Sequence, residues 1–247
     1  MSERVVASIE ARMRSSRLPN KVLLDIAGAP SLTRLLRRLR RARLIDAIVL
    51  ATTTSSADDV LAEWAQSERV VLFRGSEDDV LARVVSAHEK MQTEVIVEIC
   101  GDCPLIDPEI VDLSIETFFL NDVDVVSTAC RQSFPQGVDS QVFRFRALKE
   151  IERTVTDPAV REHVSLYFYE HPEKYRTIHL ASPWRWKRPR QRLQLDYPED
   201  MALIRAVYER LLPEHGDHFG LDEIMRLLDS EPGIAALNAH CQERAVR

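Results

Sequence analysis

Glycine is scarce in this chain, 7 of 247 residues, and none lies between Ile9 and Lys21, a stretch reading IEARMRSSRLPNK that gathers Arg12, Arg14, Arg17 and Lys21 just after an apolar run. That scarcity excludes two familiar phosphate-binding loops. A Walker loop wraps phosphates in the backbone amides of its glycines and sets a hydroxyl residue after its lysine, whereas Val22 follows Lys21 here. A dinucleotide-binding turn needs spaced glycines for its tight bend. Any phosphate held by this stretch must be held by side chains.

Other shortages narrow the class further. Four cysteines, Cys100, Cys103, Cys130 and Cys241, are too few and too scattered for a disulfide scaffold and are expected to be reduced. No apolar run approaches the about 20 residues of a membrane span, and MSERVVASIEAR lacks the basic flank and long apolar core of a secretion signal. A cytoplasmic protein with no membrane partner is the expectation. The net charge of -6 weighs against a general nucleic-acid binder, because phosphate backbones are held by an excess of Lys and Arg. Internal repeats, low-complexity tracts, flexible linkers and a serine or cysteine triad signature are also missing.

With 45% hydrophobic and 29% charged residues, the composition suits one α/β domain spanning residues 1–247. Arg4–Ala11, Ala47–Thr53, Val70–Arg74, Val95–Ile99 and Val123–Thr128 read as buried strands. Helical patterns separate them: Ser31–Arg43, a segment led by Asp58 and Asp59, one opened by Gly75 and Ser76, and Pro108 to about Leu120. This alternation predicts a doubly wound, mostly parallel sheet. In Ser31–Arg43 the leucines take one face, and Arg34, Arg37, Arg38, Arg40, Arg41 and Arg43 read as the solvated other. The rhythm changes over residues 131–190, predicted as a small inserted α+β segment with strands at Gln141–Phe145 and Thr177–Ala181 and helices at Ala147–Arg153 and Arg161–Tyr169. Leu193–Leu195 returns to a strand, followed by helices at Pro198–Leu211 and Leu221–Leu228.

Parallel strands bring the basic stretch after Ala11 and the Gly101-Asp102 turn to one edge, where open α/β sheets bind ligands. Four cations there suit a polyphosphate; the alternative is a solvated basic loop. Asp102 follows one strand and Asp196 another, and two such carboxylates match the oxygen donors that Mg²⁺ takes beside substrate phosphates. Each aspartate alone reads equally as a helix cap. Cys100 and Cys103 make a CxxC spacing; zinc would need two further ligands at short spacing, and a redox pair is conceivable. The stretch Trp184 to Arg192, WRWKRPRQR, mixes aromatics and cations and reads as a loop closing over an anionic acceptor or as plain surface.

The basic stretch together with RGSEDDVLAR (74–83), GDCPLIDPEIVD (101–112) and LDYPEDMALI (195–204) resembles the cytidylyltransferase family, which includes the acylneuraminate and 3-deoxy-manno-octulosonate enzymes, and within it the SpsF-type spore coat polysaccharide branch. The resemblance runs from about Val5 to Tyr208 and implies a nucleotide-diphospho-sugar transferase-like, Rossmann-type fold. It implies Mg²⁺ on Asp102 and Asp196, with Arg12 and Lys21 on the triphosphate and Arg17 in the same block. It also implies that backbone and loop groups near Ala11 and Arg74 read the base and that Ser76 and Asp79 lie near the nucleotide. Asp139, Arg161 and His163 fall in segments near the acceptor or a subunit interface, with a homodimer formed through 131–190. The expected reaction joins CTP to an acidic sugar, giving a CMP-sugar and pyrophosphate. The rivals are GTP with a sugar 1-phosphate, and a non-catalytic nucleotide-binding subunit. Three departures stand out: Arg14 replaces a small residue, Asn20 a glycine, and Glu10 a proline or glutamine, setting a carboxylate where it would repel a triphosphate unless paired.

Overall fold

The computed structural model describes residues 3–242. Its strands are β1 (Val5–Glu10), β2 (Asp25–Ile26), β3 (Ala29–Pro30), β4 (Ala47–Thr53), β5 (Val71–Gly75), β6 (Val95–Cys100), β7 (Val125–Ser127), β8 (Gln141–Arg144) and β9 (Thr177–His179). The helices are α1 (Ser31–Leu39), α2 (Asp59–Ser67), α3 (Val80–Lys90), α4 (Pro108–Leu120), α5 (Phe145–Thr154), α6 (Pro158–Glu162), α7 (Leu166–Glu170), α8 (Pro198–His215), α9 (Leu221–Ser230) and α10 (Pro232–Ala236). Seven strands form one sheet in the order β5-β4-β1-β6-β8-β7-β9, and β2 with β3 makes a separate two-residue hairpin. Only β8 runs against its neighbours β6 and β7 in the large sheet. The expected doubly wound, mostly parallel architecture is therefore present.

Strand order places the ligand edge. From β1 the chain builds outward through β4 and β5, then crosses to the other side of β1 with β6. The order of strand addition reverses between the parallel neighbours β1 and β6, and the loops leaving the carboxyl ends of those two strands flank the resulting crevice. Burial explains why the centre holds: Val5, Ala7 and Ile9 of β1 and Val95, Val97 and Ile99 of β6 pack with the α1 leucines Leu32, Leu35, Leu36 and Leu39. Each fully buried leucine contributes roughly 1.5–3 kcal/mol. A second core joins α8 and α9 to Leu193, Leu195 and Phe134, fixing the segment that leads to Asp196.

Several expectations need correction. The strands of the 131–190 segment join the main sheet, with β8 between β6 and β7 and β9 at its edge. The helix expected over Arg161–Tyr169 breaks into α6 and α7, since His163 takes an extended backbone with φ -114° and ψ 99°. Leu193–Leu195 forms no strand; Leu193 N donates to Gln136 O at 2.7 Å and Leu195 N to Asp102 O at 2.8 Å, so tertiary partners replace a ladder. The hairpin of β2 and β3 and the short α10 were not foreseen. Nor is the arginine face of α1 uniformly solvated. Arg38 is fully buried, donating through Nε to Ile106 O at 2.7 Å and through Nη1 to Phe219 O at 2.9 Å. Arg34 is buried too, holding Ile26 O and Asp217, while Arg37, Arg40 and Arg43 are exposed.

The core also carries a carboxyl. Glu98 sits opposite Ser8 across the β1–β6 pairing and is 5% exposed. Burial pushes its pKa up to about 7, against a lesser opposing bond from Ser165. A carboxyl raised in the folded state favours folding below its unfolded pKa, and that contribution is lost as pH rises through the folded value.

Two outcomes follow. Arg38→Met strands two buried carbonyls and is expected to cost about 3 kcal/mol in urea denaturation; a loss under about 0.5 kcal/mol would show that the guanidinium is dispensable. Glu98→Gln should remove a stability decline between about pH 5 and about pH 8 that the parent chain shows, and parallel pH curves for the two would contradict the buried titration.

Candidate active site

The basic stretch folds back on itself after β1. Asn20 takes the left-handed conformation at φ 60°, which asparagine tolerates, and its amide donates to Met13 O at 3.1 Å. Met13 N in turn donates to Asp58 Oδ1 at 2.7 Å, so a buried aspartate read in the sequence as a helix-leading acid anchors this loop instead. Lys21 opens a single 3-10 turn, Lys21–Leu23, and points at the carboxylates across the crevice. The facing turn begins with Gly101, where a Cβ would stand 2.7 Å from Glu10 O and 2.9 Å from Ala11 Cβ. Only glycine lets the β1 and β6 loops approach this closely.

Lys21 Nζ lies 2.7 Å from Asp102 Oδ2 and 2.7 Å from Asp196 Oδ1. Arg17 Nη2 reaches the same Asp196 oxygen at 2.6 Å, and Arg192 Nη2 approaches its other oxygen at 3.7 Å. Burial works against charge on Asp196, but Lys21 and Arg17 more than offset it and hold the carboxyl below its usual range. Burial likewise disfavours the Lys21 ammonium, and the two carboxylates overcome this and raise its pKa. The two aspartates, 81 and 175 residues from Lys21, are thus held as one unit.

A small cation already bridges oxygens of both carboxylates in the form of that ammonium. Hard carboxylate donors converging from two loops beside a basic wall fit Mg²⁺, which uses one or two protein carboxylates and takes its other ligands from phosphate and water.

Behind Asp196 lies a support that the sequence did not reveal. Asp200 is completely buried, accepts from Asp196 N and Tyr197 N at 3.0 Å each through Oδ2, and pairs with Arg192 Nη2 at 3.0 Å. Its position in the first turn of a helix reads as a dipole or cap residue, and nothing local signals that it fixes a neighbouring loop. The loop at Gly137, φ +93°, packs so tightly that a Cβ would lie 2.4 Å from Gln194 N. Gln194 Nε2 then reaches Asp102 Oδ2 at 3.3 Å.

These groups line a cavity of about 1080 Å³. Arg12, Arg14, Arg17 and Lys21 come from the basic loop, Glu10, Cys100 and Asp102 from the ends of β1 and β6, Asp196 from the segment before α8, and Glu162 and His163 from the end of α6. This lies at the upper end of the range of about 300–1,000 Å³ for small-ligand pockets. Arg12 is exposed and makes no ion pair among the described residues. The Glu10 carboxyl is raised well above its usual range, first by burial and then by Glu98, while Ser8 Oγ donates to it at 2.8 Å. Its neutral form is favoured, which lessens the repulsion that a carboxylate would exert on a phosphate chain. Desolvation and the adjacent Asp102 carboxylate push the Cys100 and Cys103 thiols up, which suits neither a reactive redox pair nor an easily metallated one.

Other sequence candidates lie outside the cavity lining. Arg74 braces strand ends, donating to Thr53 O and Ser55 O at 2.8 Å each and pairing with Asp59. Ser76 Oγ accepts from Asp79 N, and Asp79 caps α3 through Ala82 N at 2.9 Å. Arg161 is spent on Asp79, Glu152 and the carbonyl of Glu152, so its charge is satisfied within the fold while its neighbour His163 faces the cavity. Asp139 accepts from Gly137 N at 3.0 Å. In the Trp184 to Arg192 stretch, Arg185 pairs with Asp222 and Arg188 with Asp229 on α9, and no residue from 184 to 192 lines the cavity. It is a docked surface strip rather than a closing loop. No helix among the described residues is long and apolar enough to cross a membrane.

The cytidylyltransferase family model matches residues 6–240. The spore coat polysaccharide biosynthesis protein SpsF of Bacillus subtilis is 34% identical over 232 residues, 92% of this chain and 95% of that one. A solved cytidylyltransferase from Leptospira borgpetersenii superposes with a TM-score of 0.90 at 27% identity, covering 99% of this chain and all of its own. A CMP:2-keto-3-deoxy-manno-octonic acid synthetase solved with CTP shares the fold, with a TM-score of 0.62 at 18% identity over 84% of this chain and 99% of that one. By sequence and by fold, the chain belongs to the cytidylyltransferase family.

Proposed function

We propose that this protein transfers CMP from CTP to a hydroxyl of an acidic sugar, releasing pyrophosphate, with Mg²⁺ held by Asp102 and Asp196. The observation that carries this reading is the meeting of the two carboxylates on Lys21 at the foot of a four-cation wall. The family name and the neighbour solved with CTP support the nucleotide. The likeness to a polysaccharide biosynthesis protein supports a sugar acceptor destined for a surface polymer.

In the reaction an acceptor oxygen forms a bond to the α-phosphorus, the bond to the bridging oxygen of the β-phosphate breaks, and the hydroxyl proton leaves to solvent or a nearby base. No protein nucleophile is required, so positioning and charge neutralisation carry the rate. Bound at the aspartate pair, Mg²⁺ would supply Lewis-acid neutralisation of the phosphate oxygens. Arg12, exposed and without an ion pair among the described residues, and Arg14 contribute charge for the departing pyrophosphate. Lys21 lies within the same crevice and serves both carboxylates and phosphate. Arg17 and Asp200 hold Asp196 in place. Glu162 and His163, at the end of α6, also line the cavity and border the space left for the acceptor.

Pyrophosphate release across the four nucleoside triphosphates with a panel of acidic sugars should be greatest with CTP; turnover with GTP and a sugar 1-phosphate alone would overturn the choice. Asp102→Asn is expected to lower turnover at least about 100-fold while the fold is kept, and unchanged activity would remove the metal assignment. Lys21→Met leaves two carboxylates facing each other and should cost about 3 kcal/mol of stability. Added Mg²⁺ should then raise the melting temperature of Lys21→Met more than that of the parent, and equal shifts would place the metal elsewhere.

A further inference from the structure

The C-terminal segment carries a second cluster that the nucleotidyl-transfer chemistry does not use. Glu199 stands in the first turn of α8, and His240 and Cys241 lie on the segment that follows α10. Glu199 Oε1 and His240 Nε2 are 3.6 Å apart, and with the Cys241 sulfur all three ligand atoms fall within 4.8 Å of one another. We propose that Glu199, His240 and Cys241 bind one zinc-class divalent cation, fastening the C-terminal segment to the loop that carries Asp196.

The donor set selects the ion. One imidazole nitrogen, one thiolate and one carboxylate form a mixed set suited to zinc or another borderline-soft transition ion and unsuited to magnesium or calcium, which take oxygen throughout. Metal–ligand bonds of about 2.0–2.3 Å in a tetrahedron put ligand atoms about 3.3–3.7 Å apart. The Glu199–His240 separation already falls there, and the Cys241 sulfur lies within 4.8 Å of both. Three protein ligands leave a fourth position for water.

The cluster is also preorganised. The backbone is tied down on both sides of His240 and Cys241, and to the same short loop each time. Asn238, 1% exposed, donates through Nδ2 to Arg192 O at 3.1 Å and to Asp200 Oδ1 at 2.7 Å. Beyond the pair, Gln242 O accepts from Tyr197 OH at 3.2 Å. Much of the entropy of gathering ligands from distant parts of the chain is therefore spent on folding itself. Asp200, touched by this segment, is the carboxylate that receives Asp196 N and Tyr197 N. A cation at the cluster would stiffen the support of the active-site aspartate without entering the cavity, whose lining includes none of the three residues.

The test uses the full chain, freed of metal by chelation and titrated with Co²⁺ as a spectroscopic substitute. Binding of one equivalent should give tetrahedral visible bands and a thiolate-to-cobalt charge-transfer band, both discharged by Zn²⁺. Cys241→Ser should lose the charge-transfer band, and His240→Ala should weaken binding about 10-fold or more, each with an unchanged circular dichroism spectrum. A spectrum without thiolate ligation overturns the proposal. So does a charge-transfer band that persists in Cys241→Ser, which would assign the metal to other cysteines. If a variant unfolds, Glu199→Gln is the substitute: the site requires its affinity to fall, and unaltered affinity refutes it.

Discussion

One ammonium between two carboxylates organises this molecule. Lys21 comes from a loop after the first strand, Asp102 from the turn after the strand beside it, and Asp196 from a segment that reaches the crevice only after the sheet is complete. Without Lys21 the two aspartates would repel each other across the crevice. With it, both carboxylates share one cation, and the Asp196 carboxyl is held below its usual range. The site is thus assembled electrostatically before any substrate arrives, and preorganised charge of this kind is what phosphoryl chemistry needs most.

The fold serves that contact through several unrelated devices. The reversal of strand order between β1 and β6 opens the crevice, and Gly101 lets the two loops approach more closely than any side chain would permit. Asp58 ties down the basic loop through Met13, while Asp200, held by Arg192, receives the backbone of Asp196 and Tyr197. The cavity lining differs in character along its length: cations gather on the basic loop, whereas burial and the neighbouring Glu98 favour the neutral form of Glu10 at the end of β1. A long anion and a second reactant have separate places to lie.

Much of this was readable from residues alone, and the exceptions have physical reasons. Alternating strands and helices at regular spacing revealed the sheet, because hydrophobic periodicity records burial. The pairing of the basic stretch with Asp102 followed from parallel topology. What escaped notice depended on distant partners. Arg34 and Arg38 look like solvent residues on an amphipathic helix, yet carbonyls of Ile26, Ile106 and Phe219 sit within reach and draw them inward. Arg74, Asp79 and Arg161 share blocks with site residues, but their charges are consumed in bracing the scaffold. The strand β8 joins the main sheet because Val142 and Phe143 bury on both sides of it, a fact invisible in an excursion of changed rhythm. Asp200 is the sharpest omission, since a first-turn aspartate has an ordinary local explanation that conceals its structural one.

The coupling between Lys21 and Asp102 tests the central claim most directly. Stabilities of the parent, Lys21→Met, Asp102→Asn and the double variant, measured by urea denaturation without metal or nucleotide, close a thermodynamic cycle. An electrostatic unit demands an interaction of about 1.5–3 kcal/mol between the two sites. Additivity within about 0.5 kcal/mol would mean that the ammonium and the carboxylate are neighbours without being partners.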